Sequence, residues 1–288
     1  MISFKKTPDS ESVLKNLLHP FVREWFFRRF EKFSLPQTFG VMEIHSRNNI
    51  LVSAPTGATK TLTGFLSILN ELIDSSDKGI LEDRVYCVYI SPLKALSEDI
   101  RVNLEEPLAE IEAIAGRKLG IRVATRTGDT SASERSKMSA KPPHILITTP
   151  ESLAIMLTSP RFKENLRNVE WMIVDEIHAL AENKRGVHLS ITMERLHRLS
   201  GHLCRVGLSA TVAPLEDVAM FLVGFEPEST ESRGTDSGKR RGPGKCRSCL
   251  IVDCQFIKAM DLRVLSPVSD MINTTHEAMH NAMYGLID

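Results

Sequence analysis

Short runs of consecutive apolar residues alternate along the chain with longer stretches whose apolar positions recur every three or four residues. The first pattern fits strands buried on both faces, the second fits helices lying against them. Strands are predicted at residues 49–53, 84–90, 121–125, 144–148, 171–174 and 203–208, most of them rich in Val and Ile. Helices are predicted at 60–73, 93–115, 150–157, 189–199 and 214–222. Pro150 and Pro214 open two of them, where a missing N–H costs least. Two further helices, at 12–18 and 20–33, precede the first strand. This alternation predicts an α/β protein built on a mostly parallel sheet flanked by helices.

The pattern breaks after Phe225. Residues 226–248 (EPESTESRGTDSGKRRGPGKCRS) are rich in Gly, Ser, Pro and charge, and read as a mobile loop or linker. Beyond them a strand is predicted at 250–257, and Thr275 is placed to cap a helix. The expected organisation is N-terminal helices over 1–35, a main domain over 36–225, the loop over 226–248 and a separate closing stretch over 249–288.

Composition narrows the class. With 288 residues, 42% of them hydrophobic and 25% charged, the chain is long enough and apolar enough for a sizeable core. Its 36 Lys and Arg balance 36 Asp and Glu, so bulk positive potential is not how it holds a polyanion. Loops with a few placed residues remain available for that. No run of about 18 apolar residues is present, and the start, MISFKKTPDSES, has no apolar signal core. Five cysteines do not make a disulfide framework, and a reducing cytoplasm is expected.

The strongest chemical signal is APTGATKT, residues 54–61, set between an apolar strand and an amphipathic helix. A phosphate-binding loop belongs at that junction, where backbone N–H groups and a helix N-terminus face the anion. Lys60 would neutralise phosphate charge as a solvent-reaching cation, and the Thr61 hydroxyl would reach a Mg²⁺ ion. The second signal is IVDEIH, residues 173–178, at the end of an apolar strand. There an Asp can hold Mg²⁺ and a Glu can orient the attacking water. Each signal alone also describes an ordinary polar turn. Together, roughly a hundred residues apart, they point to nucleotide hydrolysis.

DEIH, LSAT at 208–211, TTPESL at 148–153 and SPLKAL at 91–96 together resemble the first RecA-like lobe of superfamily 2 DExH-box helicases. With ATRTGDT (124–130) and NKRGVHL (183–189), the wording is most similar to the Lhr-type, large helicase-related DNA helicases. The resemblance implies a RecA-like P-loop NTPase lobe that uses ATP and Mg²⁺. Carried over by position, Gln37 would contact the adenine, with Phe30 or Phe33 near the base. Thr56, Gly57, Ala58, Thr59, Lys60 and Thr61 would form the phosphate loop. Asp175 and Glu176 would form the metal and water site, with Thr61 and Asp175 toward Mg²⁺ and Lys60, Asp175 and Glu176 catalytic. Ser209 and Thr211 would couple hydrolysis to strand binding. Pro92, Lys94, Arg126, Gly128, Asp129, Thr149 and Glu151 would lie along the nucleic acid, where backbone contacts bring little sequence preference. Thr149 and Glu151 also fit the start of a helix, where they would serve as caps. The implied partners are DNA, with RNA possible, and a second helicase lobe, residues 249–288 being the passage into it. A monomer is expected.

Other signals lead elsewhere. HEAMH at 276–280 has zinc-protease spacing, but only eight residues follow and a third ligand is missing. Cys246 and Cys249, with Cys254 nearby, lack the second pair of ligands a structural zinc site needs. The basic cluster 239–241 in a Gly/Ser-rich stretch reads as a solvated run. A transporter-type ATPase would need an LSGGQ-like signature, which the chain does not contain. The remaining rival is a lobe that binds nucleotide and nucleic acid without turning over alone. Thr59 favours it, because it stands where the motif has glycine and its side chain would crowd the approach to the phosphates. Thr59→Gly is accordingly expected to tighten ATP binding or raise turnover in a titration against wild type, despite its lower helix propensity. Unchanged or weaker affinity would mean that the loop is already fitted to threonine.

Overall fold

The computed structural model describes residues 1–55, 59–92, 94–210, 214–226, 244–254 and 274–279. In chain order the strands are β1 Ile2–Phe4, β2 Ile50–Ser53, β3 Cys87–Ile90, β4 Val123–Arg126, β5 Ile145–Thr148, β6 Trp171–Val174, β7 Cys204–Ser209 and β8 Cys249–Asp253. The helices are α1 Glu11–Leu17, α2 Pro20–Arg29, α3 Leu35–His45, α4 Thr59–Asp77, α5 Lys94–Ala115, α6 Ala132–Ala140, α7 Pro150–Thr158, α8 Pro160–Lys163, α9 Ile177–Ala181, α10 Lys184–Ser200 and α11 Leu215–Val223.

The strands form one sheet in the order β1-β8-β2-β7-β6-β3-β5-β4, and every pairing in it is parallel. The central strands are apolar at nearly every position because helices cover both faces. β2, β3, β5 and β6 are buried at all four residues. One face packs α1 to α5 through residues such as Trp25, Phe26, Phe65 and Ile111, and the other packs α7 to α11 through Leu153, Phe162, Leu189 and Leu222. In α4, Phe65, Leu66, Leu69, Leu72 and Ile73 recur at helical spacing and are all buried. Gly40 lets α3 lie close to α4: a Cβ there would come within 2.8 Å of Thr63 Cγ2.

Three expectations change. The predicted helix 20–33 ends at Arg29, and a second helix, α3, begins at Leu35 after the extended residue Phe30. β1 was not anticipated, and it pairs with β8, so the chain's first residues are part of the sheet. The strand expected in a separate closing stretch is β8, which lies between β1 and β2 and ends at Asp253. The compact unit therefore runs from Met1 to Gln255, and 256–288 form a second unit. In that second unit, Thr275 accepts from Met279 N through its carbonyl and from Ala278 N through Oγ1.

The end of the expected loop 226–248 is also fixed. Phe225 and Cys246 form an antiparallel bridge, and Arg247 donates to both carboxylate oxygens of Glu194 at 2.7 and 2.8 Å. Arg205, 1% exposed, donates to Glu194 Oε1 and to the carbonyls of Leu222 and Val223 that end α11. Burial works against the Glu194 charge, but Arg247 and Arg205 hold its carboxyl below the ordinary range. Removing the carboxylate that two buried guanidinium groups share leaves their charge uncompensated. Glu194→Ala is thus expected to destabilise the chain by about 3 kcal/mol or more in urea unfolding. A loss under about 1 kcal/mol would show that the carbonyls alone satisfy both arginines.

Candidate functional site: the carboxyl edge of the sheet

In a parallel α/β sheet the loops that follow the strands gather along one edge, and ligands bind there. β2 runs into the phosphate loop and α4. Thr56, Gly57 and Ala58 lie outside the described residues, and Thr59 and Lys60 begin α4. Lys60 is not the solvent-reaching cation expected from its place in the sequence. It is 4% exposed, and its Nζ donates to the Ser209 carbonyl at 3.2 Å and lies 4.0 Å from Glu176 Oε1. The Ser209 carbonyl also accepts from Ala54 N, which ties the ends of β2 and β7 together.

β6 ends at Val174, and the next two residues make a strained turn. Glu176 has φ 45° and ψ 42°, a left-handed conformation that costs a non-glycine residue about 1–2 kcal/mol. Its N–H donates to Asp175 Oδ1 at 3.0 Å, which stabilises the turn. Such strain persists where the surroundings fix it, and it is common at functional sites. Asp175 is 8% exposed, and burial pushes its carboxyl above the ordinary aspartate range. Its Oδ2 accepts from the hydroxyl of Tyr89.

His178 joins this group. Its Nε2 lies 3.3 Å from Glu176 Oε2, and its Nδ1 lies 3.1 Å from Ser209 Oγ. The Ser209 hydroxyl donates to the Ala210 carbonyl at 2.8 Å. Lys60, Glu176, His178 and Ser209 thus form a closed ring of contacts across the ends of β2, β6 and β7, with Asp175 beside it. Thr211 lies outside the described residues.

Around the base position, Gln37 is 2% exposed and its carboxamide oxygen accepts from Ser34 N at 2.8 Å, which caps α3. Phe33 belongs to the core and stacks on Phe26. Phe30 instead lines a cavity of 190 Å³ beside Thr61, together with Trp25, Leu62 and Phe65.

The residues expected along the nucleic acid lie at the ends of β3, β5 and β4, which neighbour one another in the sheet. Ser91 N donates to the Thr148 carbonyl, and Thr148 Oγ1 donates to the Arg126 carbonyl. Lys94 begins α5. Thr149 is a buried cap of α7, and its hydroxyl is paired with Ser152. Glu151 is exposed, with its carboxylate held by Arg185, which also donates to the Pro92 carbonyl. Arg126 lies over the Phe162 ring at 4.2 Å, and its buried Nη1 has no partner among the described residues. Gly128 and Asp129 are exposed, and the Gly128 carbonyl accepts from Arg135.

Sequence reasoning missed Tyr89, His178, Arg185 and Arg135 as members of these clusters. His178 and Arg185 stand inside the DEIH and NKRGVHL stretches, so their motifs were visible although their contacts were not. Tyr89 looks like any aromatic in a buried strand, and Arg135 like any charge on a surface helix.

The family profile described as DEAD/DEAH box helicase matches residues 36–218, more than half of the chain. The ATP-dependent helicase Lhr-Core of Methanothermobacter thermautotrophicus is 51% identical over 290 residues, covering 100% of this chain and 32% of that protein. The Lhr helicase/uracil glycosylase of Escherichia coli is 45% identical over 76% of this chain and 15% of its own length. Among solved structures, Mycobacterium smegmatis helicase Lhr bound to ssDNA and AMP-PNP superposes with a TM-score of 0.71 at 38% identity, covering 94% of this chain and 32% of that one. The DEAD-box helicase Mss116, at 19% identity and a TM-score of 0.66, shares the fold. The chain thus spans about a third or less of the length of these Lhr relatives. It belongs to the DEAD/DEAH box helicase family, and its parallel sheet is a RecA-like helicase lobe similar to those of the Lhr helicases.

Proposed function

We propose that these residues form an ATP-binding lobe of a nucleic-acid helicase, acting on DNA in the first instance. The lobe hydrolyses ATP with Mg²⁺ to drive strand translocation or unwinding when a second lobe closes over the nucleotide. The observation that carries the reading is the division of one sheet edge. The ring of Lys60, Glu176, His178 and Ser209 follows β2, β6 and β7, and the loops with Arg126, Thr149, Glu151 and Pro92 follow β4, β5 and β3. The M. smegmatis relative, which was solved with ssDNA and AMP-PNP, supports both ligand classes.

Phosphoryl transfer needs positioning and charge compensation more than covalent help. Lys60 would exchange the Ser209 carbonyl and Glu176 for phosphate oxygens, a charge-assisted contact stronger than the one it leaves. Glu176, released from Lys60, would accept a hydrogen bond from the attacking water. His178 would then pass the change to Ser209 through its Nδ1 contact with the hydroxyl. Thr61 and Asp175 offer a hydroxyl and a carboxylate, the hard oxygen donors that suit Mg²⁺. A bound Mg²⁺ would supply charge neutralisation at the phosphates. Gln37 would offer its NH2 group to the base while its oxygen caps α3.

A single-strand site made of backbone contacts is salt-sensitive and indifferent to sequence. Residues 1–288 are expected to bind single-stranded DNA and RNA weakly, with affinity falling about tenfold or more between about 50 and 200 mM salt in anisotropy titrations. Salt-independent binding, or binding confined to one sequence, would contradict the site. The same residues alone are expected to show no ATP-driven displacement of a 3′-tailed duplex. An arginine from across the nucleotide is worth about a thousandfold or more in related sites, and a stroke needs two bodies. Robust displacement would overturn the two-lobe account.

A further inference from the structure

The strand that separates the two halves of the carboxyl edge carries a buried group with no part in the mechanism above. Tyr89, on β3, is fully buried, and its ring stacks on Phe65 of α4 with centroids 5.0 Å apart and planes 17° apart. That stack fixes the phenol between α4 and β6. Its hydroxyl donates to Asp175 Oδ2.

At Asp175, Oδ2 takes the phenol proton and Oδ1 takes the Glu176 N–H, so the carboxylate plane is held from both sides. The Tyr89 hydroxyl therefore sets the orientation of the carboxylate assigned to Mg²⁺.

We propose that Tyr89 is a positioning residue for the divalent ion: its hydroxyl pre-orients Asp175 without touching metal or nucleotide. The proposal rests on the nucleotide-site reading above and adds to it. Partners of this kind, one bond removed from an ion, change metal affinity about 10–100-fold when removed.

Tyr89→Phe removes only the oxygen and keeps the stack on Phe65. Mn²⁺ is the probe, followed by electron paramagnetic resonance on residues 1–288 with AMP-PNP present. The variant is expected to bind Mn²⁺ about tenfold more weakly than wild type. AMP-PNP affinity in EDTA should stay within about twofold, since the phosphate contacts of Lys60 are untouched. Phe65→Leu, which loosens the stack but keeps the hydroxyl, should leave Mn²⁺ affinity near wild type. Equal Mn²⁺ affinity in wild type and a folded Tyr89→Phe overturns the proposal, as does an equal loss in Phe65→Leu. A wild type that binds no Mn²⁺ with AMP-PNP overturns the nucleotide-site reading itself, a result distinct from either. Should Tyr89→Phe fail to fold, fluorotyrosine-labelled wild type decides, its resonances assigned through Tyr86→Phe and Tyr284→Phe. The Tyr89 signal should move on adding Mg²⁺ with AMP-PNP and not with AMP-PNP in EDTA, and indifference to the metal overturns the proposal.

Discussion

A buried ammonium group organises this lobe. Lys60 sits at the N-terminal end of α4 with almost no exposure, where an unpaired positive charge is costly and the helix's own positive end adds to the cost. Among the described residues its contacts are the Ser209 carbonyl and, at the edge of ion-pair range, the Glu176 carboxylate, with the Asp175 charge nearby. On the proposed reading the ring is a resting arrangement, in which the ammonium is satisfied enough to be buried and can be exchanged to a phosphate.

The parallel sheet turns that local chemistry into a longer connection. Along the edge, β2, β7 and β6 carry the residues proposed for the nucleotide, and β3, β5 and β4 carry those expected along the strand. The seam falls between β6 and β3, where Asp175 N donates to the Ile90 carbonyl and the Tyr89 hydroxyl reaches Asp175. On the nucleic-acid side Arg185 fastens two loops to the start of α10, through Glu151 and the Pro92 carbonyl. Glu151 and Thr149 therefore act within the lobe as braces and caps. Arg126 differs from them: it lies over Phe162, and its buried Nη1 has no partner among the described residues.

Much of this was legible in the residues. β6 is Trp171–Val174 in both readings, and β2, β3, β4, β5 and β7 shift by at most three residues, because continuous apolar runs have few alternatives in a parallel sheet. β1 escaped notice because ISF is three residues long and largely exposed, held by pairing with β8 instead of by its own apolarity. α6 (ASERSKMSA) has no buried residue and thus no periodic signal, only the Ser131–Glu134 capping box. At the site, the two motifs and their spacing pointed to Lys60, Asp175 and Glu176, and the helicase resemblance added Ser209. It could not reveal that Lys60 is buried, since burial depends on where β7 and the turn after β6 come to lie. Nor could it separate Tyr89 from the core aromatics, since the difference is one hydroxyl aimed at a carboxylate that lies 86 residues away.

The central claim is that the buried Lys60 ammonium is held in reserve for a phosphate. Calorimetric titration of Mg·ATP into residues 1–288 and into Lys60→Ala, with urea unfolding of both, tests it directly. Because Lys60 is packed, some stability change is expected and must be measured alongside. The account predicts a variant that remains folded and binds Mg·ATP at least about a hundredfold more weakly, the scale expected when a charge-assisted hydrogen bond is removed from a buried site. A folded Lys60→Ala chain with wild-type affinity for Mg·ATP would contradict it.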